Sequence, residues 1–152
     1  MHIVLVEPEI PGNTGNIARL CAATEAKLHL VKPLGFSLAD KYLKRAGLDY
    51  WHLLQIYEHE NFDEVLQKYN GHTFYYNTTK AAKNHTNVKF SPDDLLVFGK
   101  ETQGLPEYIL KSNPEHCIRI PMIKDARSIN LSSAAAIVLF EALRQQNFAG
   151  LI

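Results

Sequence analysis

Three short segments hold most of the polar side chains and glycines in this chain that could do chemistry. The first, residues 8–19, reads PEIPGNTGNIAR. Gly12 and Gly15 permit tight turns there, and a helix opening after them would aim free N–H groups at an anion. Asn13 reads as the cap of that helix. Asn16 and Arg19 are three apart and share a helical face, so they can offer an amide and a guanidinium to a phosphate or a sugar. The plainer alternative is that Asn16 only caps and Arg19 only pairs with a carboxylate. The second segment, residues 98–106, reads FGKETQGLP. Gly99 and Gly104 allow sharp turns, Pro106 stiffens the exit, and Glu101 either orients a polar substrate group or holds an arginine. The third, residues 118–133, reads IRIPMIKDARSINLSS. Pro121 donates no hydrogen bond, and Asp125, Arg127, Ser128 and Asn130 crowd the approach to the last helix, where Asn130 is also a good N-cap. Neither the GxGxxG fingerprint of dinucleotide sites nor a Walker A loop is present: Glu101 follows Gly99-Lys100, and the upstream glycine is missing.

These segments need a scaffold, and the hydrophobic pattern supplies one. Short apolar runs predict strands at about 2–7, 27–32, 52–57, 72–77, 95–99 and 117–120. Helical patterns predict helices at about 14–24, 37–46, 61–69, 106–112 and 130–146. Strands separated by helices imply crossovers, hence an α/β fold with a mostly parallel sheet and helices on both faces. Each polar segment then falls at the C-terminal end of a strand, where such sheets bind ligands. Asn61 reads as an N-cap, Pro106 as the opening of a short helix and Asn70-Gly71 as a turn. With no linker or repeat, residues 1–152 read as a single domain.

Composition narrows the function. Sixteen Lys+Arg balance sixteen Asp+Glu, which excludes a generic polyanion binder with a wholly basic surface. Local patches remain: Lys41, Lys44 and Arg45 share a helical face, and Lys80, Lys83, His85 and Lys89 crowd the loop after the fourth strand. Tyr50 and Trp51 read as core more readily than as base-stacking residues. Cys21 and Cys117 belong to no metal-type cluster, and the seven histidines look scattered, so no metal is expected. Residues 1–13 lack the features of a signal peptide, and no run is long enough to span a membrane, which points to a cytoplasmic protein. The last helix is apolar on two sides. Leu131, Ala134, Ala135, Val138 and Ala142 form one stripe, and Ala136, Ile137, Phe140 and Leu143 form another. A homodimer burying the second stripe is the preferred reading over a central helix within one chain.

The three segments, in this order, resemble the SPOUT superfamily of RNA methyltransferases along essentially the whole chain. EPEIPGNTGNIARLC, LLVFGKETQGLP and IRIPMIKDARSINLSSAAAIVLFEALRQ correspond to its three motifs. RAGLDYW at 45–51 looks like the single-domain branch that methylates the ribose 2′-hydroxyl of the tRNA wobble nucleotide, cytidine or uridine 34. Lys100 and Gln103 stand where relatives commonly carry other residues. The resemblance implies a C-terminal trefoil knot, a homodimer and S-adenosyl-L-methionine as cofactor, contacted at Asn77, Gly99, Ile120 and Ser128 with Gly104 shaping the second loop. It also implies that Arg19 activates the hydroxyl, that Asn16 and Asn130 position phosphate or ribose, and that Glu101 orients Arg19 or the hydroxyl. Lys41, Lys44, Arg45 and Lys80 would meet the anticodon stem-loop, and leucine tRNAs are the acceptors suggested. Another tRNA or rRNA position, and a non-catalytic RNA-binding module that has kept the fold, stay open as alternatives.

Overall fold

The N-terminal apolar run forms β1 (His2–Val6), buried along its whole length. Burial on both faces is what a central parallel strand requires, and β1 has a parallel neighbour on each side: β2 (Lys27–Val31) and β6 (Leu95–Phe98). The remaining strands are β3 (Ile56–His59), β4 (Phe74–Asn77), β5 (Lys83–Asn84) and β7 (Cys117–Arg119). The computed structural model describes residues 1–39 and 53–152. Within these, the seven strands form one sheet in the order β3-β2-β1-β6-β4-β7-β5, with every pairing parallel.

Helices cover both faces. On one, α1 (Pro11–Thr24) and α4 (Leu131–Gln145) bring Ile17, Ala18, Cys21, Ala135, Val138 and Leu139 onto Ile3, Leu5, Leu28 and Leu96. On the other, α2 (Phe62–Lys68) and α3 (Glu107–Ser112) bring Phe62, Val65 and Ile109 onto Val4, Val31, Leu95 and Val97. Alternate residues of β1 and β6 therefore serve separate cores, as the two-residue period of a strand dictates. Cys21 and Cys117 lie in different cores, and both are free thiols. Burial pushes the Cys21 thiol up to about 12.

Local departures from the predicted elements have physical causes. Pro11, with its fixed φ, opens α1 three residues earlier than predicted, and Ile10 takes the N-cap position. Asn13 is therefore inside the helix and buried, not its cap, and Gly12 and Gly15 lie in helical turns and not in a tight loop. β3 begins at Ile56, later than the predicted 52, which lies outside the described residues. β5 was not expected: its two residues are held by pairing with β7, which draws Lys83 into the sheet and buries His85. Lys83, His85, Lys80 and Lys89 thus do not form one solvated patch, since Lys83 donates to the Glu115 carbonyl and the His85 ring meets the Arg119 carbonyl. Asn61 caps α2, and Asn130 caps α4 through bonds from the Ser132 and Ser133 amides. Pro106 sits one position outside α3, as its N-cap.

The histidines are not all scattered. The pleat places His2, His29 and His59 diagonally across β1, β2 and β3, on the face that α2 covers. His2 Nδ1 lies 2.9 Å from His29 Nε2, and His29 Nδ1 lies 3.0 Å from His59 Nε2. Tyr57 stacks on His29, and Tyr69 packs edge-on against both His2 and His29. Burial lowers the His2 ring to about 4 and the His29 ring to about 3, and it lowers His59 as well. Among the described residues, no group of three or more His, Cys, Asp or Glu is arranged to hold a metal ion, and no helix is long and apolar enough to cross a membrane.

Of the second stripe on α4, Leu143 turns into the core, while Ile137 and Phe140 remain 40% and 46% exposed. Phe148 is also exposed and lies beside Phe140, their ring centroids 6.4 Å apart.

Candidate functional site

Because every strand pairing is parallel, the loops after β1, β4, β6 and β7 leave the same edge of the sheet. From β1 the chain proceeds to β2 on one side, whereas its other neighbour is β6. This reversal of strand order opens a crevice at the strand C-termini, the usual ligand position in an open α/β sheet. The loop after β1 and the loop after β6 meet across it.

Glu101 is the centre of that meeting. Its carboxylate accepts from the Glu9 N–H at 2.8 Å, the Ile10 N–H at 3.2 Å and the Asn13 side-chain amide at 3.0 Å. The N-cap residue of α1 has no side-chain cap of its own, so a carboxylate from a distant loop satisfies donors at the positive end of the helix. Asn13 then continues the chain of bonds: its Oδ1 accepts from Asn130 Nδ2 at 2.9 Å. Asn130 Oδ1 takes the Ser132 amide at 2.9 Å and the Ser132 hydroxyl at 2.6 Å. Glu101, Asn13 and Asn130 thereby tie all three polar segments together. Asn13, which the sequence reading did not place among the candidate site residues, bridges Glu101 and Asn130. Its signal was present in its type and position, but it was read as a cap.

Beside this junction lies a cavity of about 680 Å³. Asn77, Gly99, Gly104, Ile120 and Ser128, the five residues assigned to a cofactor from the sequence, all line it, together with Glu101, Asn130 and Lys80. Two local features suit a bound group. Asn77 donates its amide N–H to the Val97 carbonyl at 3.2 Å, but its Oδ1 is buried with no partner, leaving an acceptor for a ligand N–H. At Gly99 an added Cβ would lie 2.0 Å from the Gly104 carbonyl carbon, so only glycine allows the loop to fold back there. Gly104 has φ +70, and its N–H closes the turn onto the Lys100 carbonyl at 2.8 Å.

The charge around the cavity is lopsided although the chain is neutral. Lys80, Lys100, Arg119 and Arg127 line it against Glu101 as the acidic residue. Lys100 pairs with Glu7 at 2.7 Å, and that hydrogen bond raises its pKa. A local basic surface of this kind favours phosphate neighbours.

Asn16 and Arg19 are placed differently. Both are exposed on α1, on one face as their spacing requires, and neither lines the cavity. Lys41, Lys44 and Arg45, with Tyr50 and Trp51, lie outside the described residues, as do positions 40–46 of the helix expected at 37–46; its described residues 37–39 are not helical.

Residues 1–140 match the SpoU rRNA Methylase family. The chain is 52% identical over 151 residues to a tRNA (cytidine(34)-2′-O)-methyltransferase of Methylovorus glucosotrophus, covering 99% of this chain and 98% of that protein. It superposes with a TM-score of 0.92 and 40% identity on a solved structure described as giving insights into the 2′-OH methylation of C/U34 on tRNA, covering 97% of this chain and 96% of that one. A more distant structure, an AdoMet-bound rRNA methyltransferase from Sinorhizobium meliloti, gives a TM-score of 0.83 at 26% identity, covering 94% of this chain and 55% of that chain.

Proposed function

The chain belongs to the SpoU rRNA Methylase family, and we propose that it methylates the ribose 2′-hydroxyl of nucleotide 34, the wobble position of the tRNA anticodon loop, using S-adenosylmethionine. The observation that carries this reading is that Asn77, Gly99, Gly104, Ile120 and Ser128 line one and the same cavity, with Glu101 and Asn130 at the same place.

Bound S-adenosylmethionine would supply an electrophilic methyl group on a sulfonium sulfur; its transfer to the 2′-oxygen would break the methyl–sulfur bond, leave a neutral thioether and release the hydroxyl proton to solvent water. The unpartnered Asn77 Oδ1 would receive an N–H of this cofactor, and the residues around Gly99, Gly104, Ile120 and Ser128 would enclose it. Such enclosure lowers the entropic part of the barrier by fixing the reacting partners. Arg19 is assigned to the acceptor. A guanidinium is a poor base, so its role is to stabilise the charge that develops on the 2′-oxygen. Asn16 and Asn130 position phosphate or ribose. Glu101 acts on this chemistry through the start of α1, which its carboxylate holds.

A homodimer belongs to the same reading. Ile137, Phe140 and Phe148 leave an apolar strip on the outside of the molecule, and Asn16 and Arg19 stand outside the cavity lining of their own chain. A second copy packed on the strip would bury it and supply a further wall for the acceptor. The trefoil knot, a cytoplasmic location, contacts from Lys41, Lys44, Arg45 and Lys80 to the anticodon stem-loop, and leucine tRNAs as acceptors complete the proposal.

The test is transfer of labelled methyl from S-adenosylmethionine to bulk tRNA, with bulk rRNA alongside, each from a strain lacking this protein. Label in tRNA alone is the expected result. Label in rRNA alone would replace the acceptor in this proposal, and cofactor binding without transfer to either RNA would favour the non-catalytic reading.

A further inference from the structure

Glu9 is used by no step above, yet its side chain is firmly engaged. Its carboxylate crosses to the loop after β6, where Oε2 accepts from the Thr102 N–H at 3.0 Å and lies 2.8 Å from the Thr102 hydroxyl; Oε1 is 3.0 Å from the same hydroxyl. The Glu9 N–H returns a bond to the preceding residue of that loop, donating to Glu101 Oε2 at 2.8 Å. The two loops thus exchange hydrogen bonds in both directions. From behind, Gly35 donates its N–H to the Pro8 carbonyl at 2.9 Å, and a Cβ at Gly35 would sit 2.7 Å from Glu9 Cα. Backbone on one side and the clasp on the other leave Glu9 no room to shift by itself.

What Glu9 connects gives the clasp its meaning. Thr102 lines the cavity and sits within the turn closed by Lys100 and Gly104. Two residues after Glu9, Pro11 starts α1, the helix that carries Asn16 and Arg19. The geometry points to Glu9 as a positioning residue for methyl transfer: by clasping Thr102 it keeps the cavity wall and the start of α1 in one register. This rests on the reading that Arg19 serves the acceptor. Thr102 is exposed and Glu9 half-buried, and polar contacts so near solvent add little to folding. Loss of the clasp therefore misaligns the two sides and leaves the fold intact, and small misplacements are costly to rate.

Steady-state kinetics on tRNA, cofactor titration and thermal melting of the full-length variants test this. Glu9→Ala and Thr102→Val should each lower kcat about tenfold with Tm close to wild type, and Glu9→Ala, whose side chain lies outside the cavity lining, should keep the wild-type cofactor Kd. Thr102→Ser, which keeps both donors, should recover the rate, and the Glu9→Ala/Thr102→Val pair should be no slower than the slower single variant. An unchanged kcat in Glu9→Ala, losses that multiply in the pair, or a loss in Glu9→Ala matched by equal weakening of cofactor binding would each overturn the proposal. Arg19→Ala run in parallel separates the two readings. If that variant stays active, the assignment of Arg19 fails; if it is inactive while Glu9→Ala is fully active, only the role of Glu9 fails.

Discussion

Asn130 donates from Nδ2 to Asn13 Oδ1 over 2.9 Å, joining residues 117 positions apart, and Asn13 passes the contact on to Glu101. One amide side chain thus couples the last loop to the first, and its donor couples the first loop to the second. Only an amide has an acceptor and a donor placed for both partners. Asn13→Ala should cost about 1–2 kcal/mol in stability, because Asn130 and Glu101 each lose a partner. It should also lower kcat/KM by about 10- to 100-fold through misalignment of the loops. Wild-type turnover in Asn13→Ala would show that the junction is not needed for the reaction.

Arg19 is exposed and outside the cavity lining, so removing its side chain should spare cofactor binding. Arg19→Ala is expected to lower methyl transfer by at least about 10²-fold, the usual loss for a group that stabilises developing charge, with cofactor Kd unchanged by calorimetry. Weakened cofactor binding together with lost turnover would assign Arg19 to the wrong ligand.

Two positions on α4 separate core from interface. Val138 is fully buried and Phe140 is 46% exposed. Val138→Asp places an unpaired charge in the core and should prevent folding. Phe140→Asp should leave a folded chain with the wild-type circular dichroism spectrum that sediments as a monomer. Should Phe140→Asp sediment as a stable dimer, the apolar strip is not the interface.

The histidine row sets an acid limit on stability. Burial is the main reason that His2 falls to about 4 and His29 to about 3, with the N-terminus, Lys27 and the neighbouring rings acting in the same direction. His59 is lowered by burial and by Lys68, against Glu64. Asp93 and His72 also face this region, the first raising His2 and the second lowering it. In the unfolded chain these rings titrate near pH 6.5, so between about pH 6.5 and 3 the unfolded state holds more protons. Stability is then complete above pH 6.5 and falls as pH drops through that window. Urea midpoints at pH 7.5, 6.0 and 5.0 should decline for the wild type and decline less steeply for His29→Leu, whatever the latter loses at pH 7.5. Parallel curves would mean that the row does not carry the acid sensitivity.

Apolar runs make β1, β2 and β6 legible within one residue, because doubly buried strands need such runs; β4 alternates buried and half-buried residues, and its aromatic residues mark it. The five residues that the family resemblance assigns to a cofactor line one cavity. What escaped depended on distant partners. Asn13 looked like a cap because nothing local reveals that Glu101 satisfies the start of α1. β5 has only two residues, and its pairing with β7 defines it. His2, His29 and His59 look scattered until the register of three strands sets them side by side. Leu143 and Phe140 seem equivalent on a helical projection, and only the packing of α4 on the sheet distinguishes them.

The most direct test of the central claim is nuclease mapping of the methyl group that the purified protein adds to unmodified tRNA. A nuclease-resistant 2′-O-methyl step at nucleotide 34, absent with Arg19→Ala, is the expected result. A methyl group at any other nucleotide, or on a base and not on the ribose, would contradict the account.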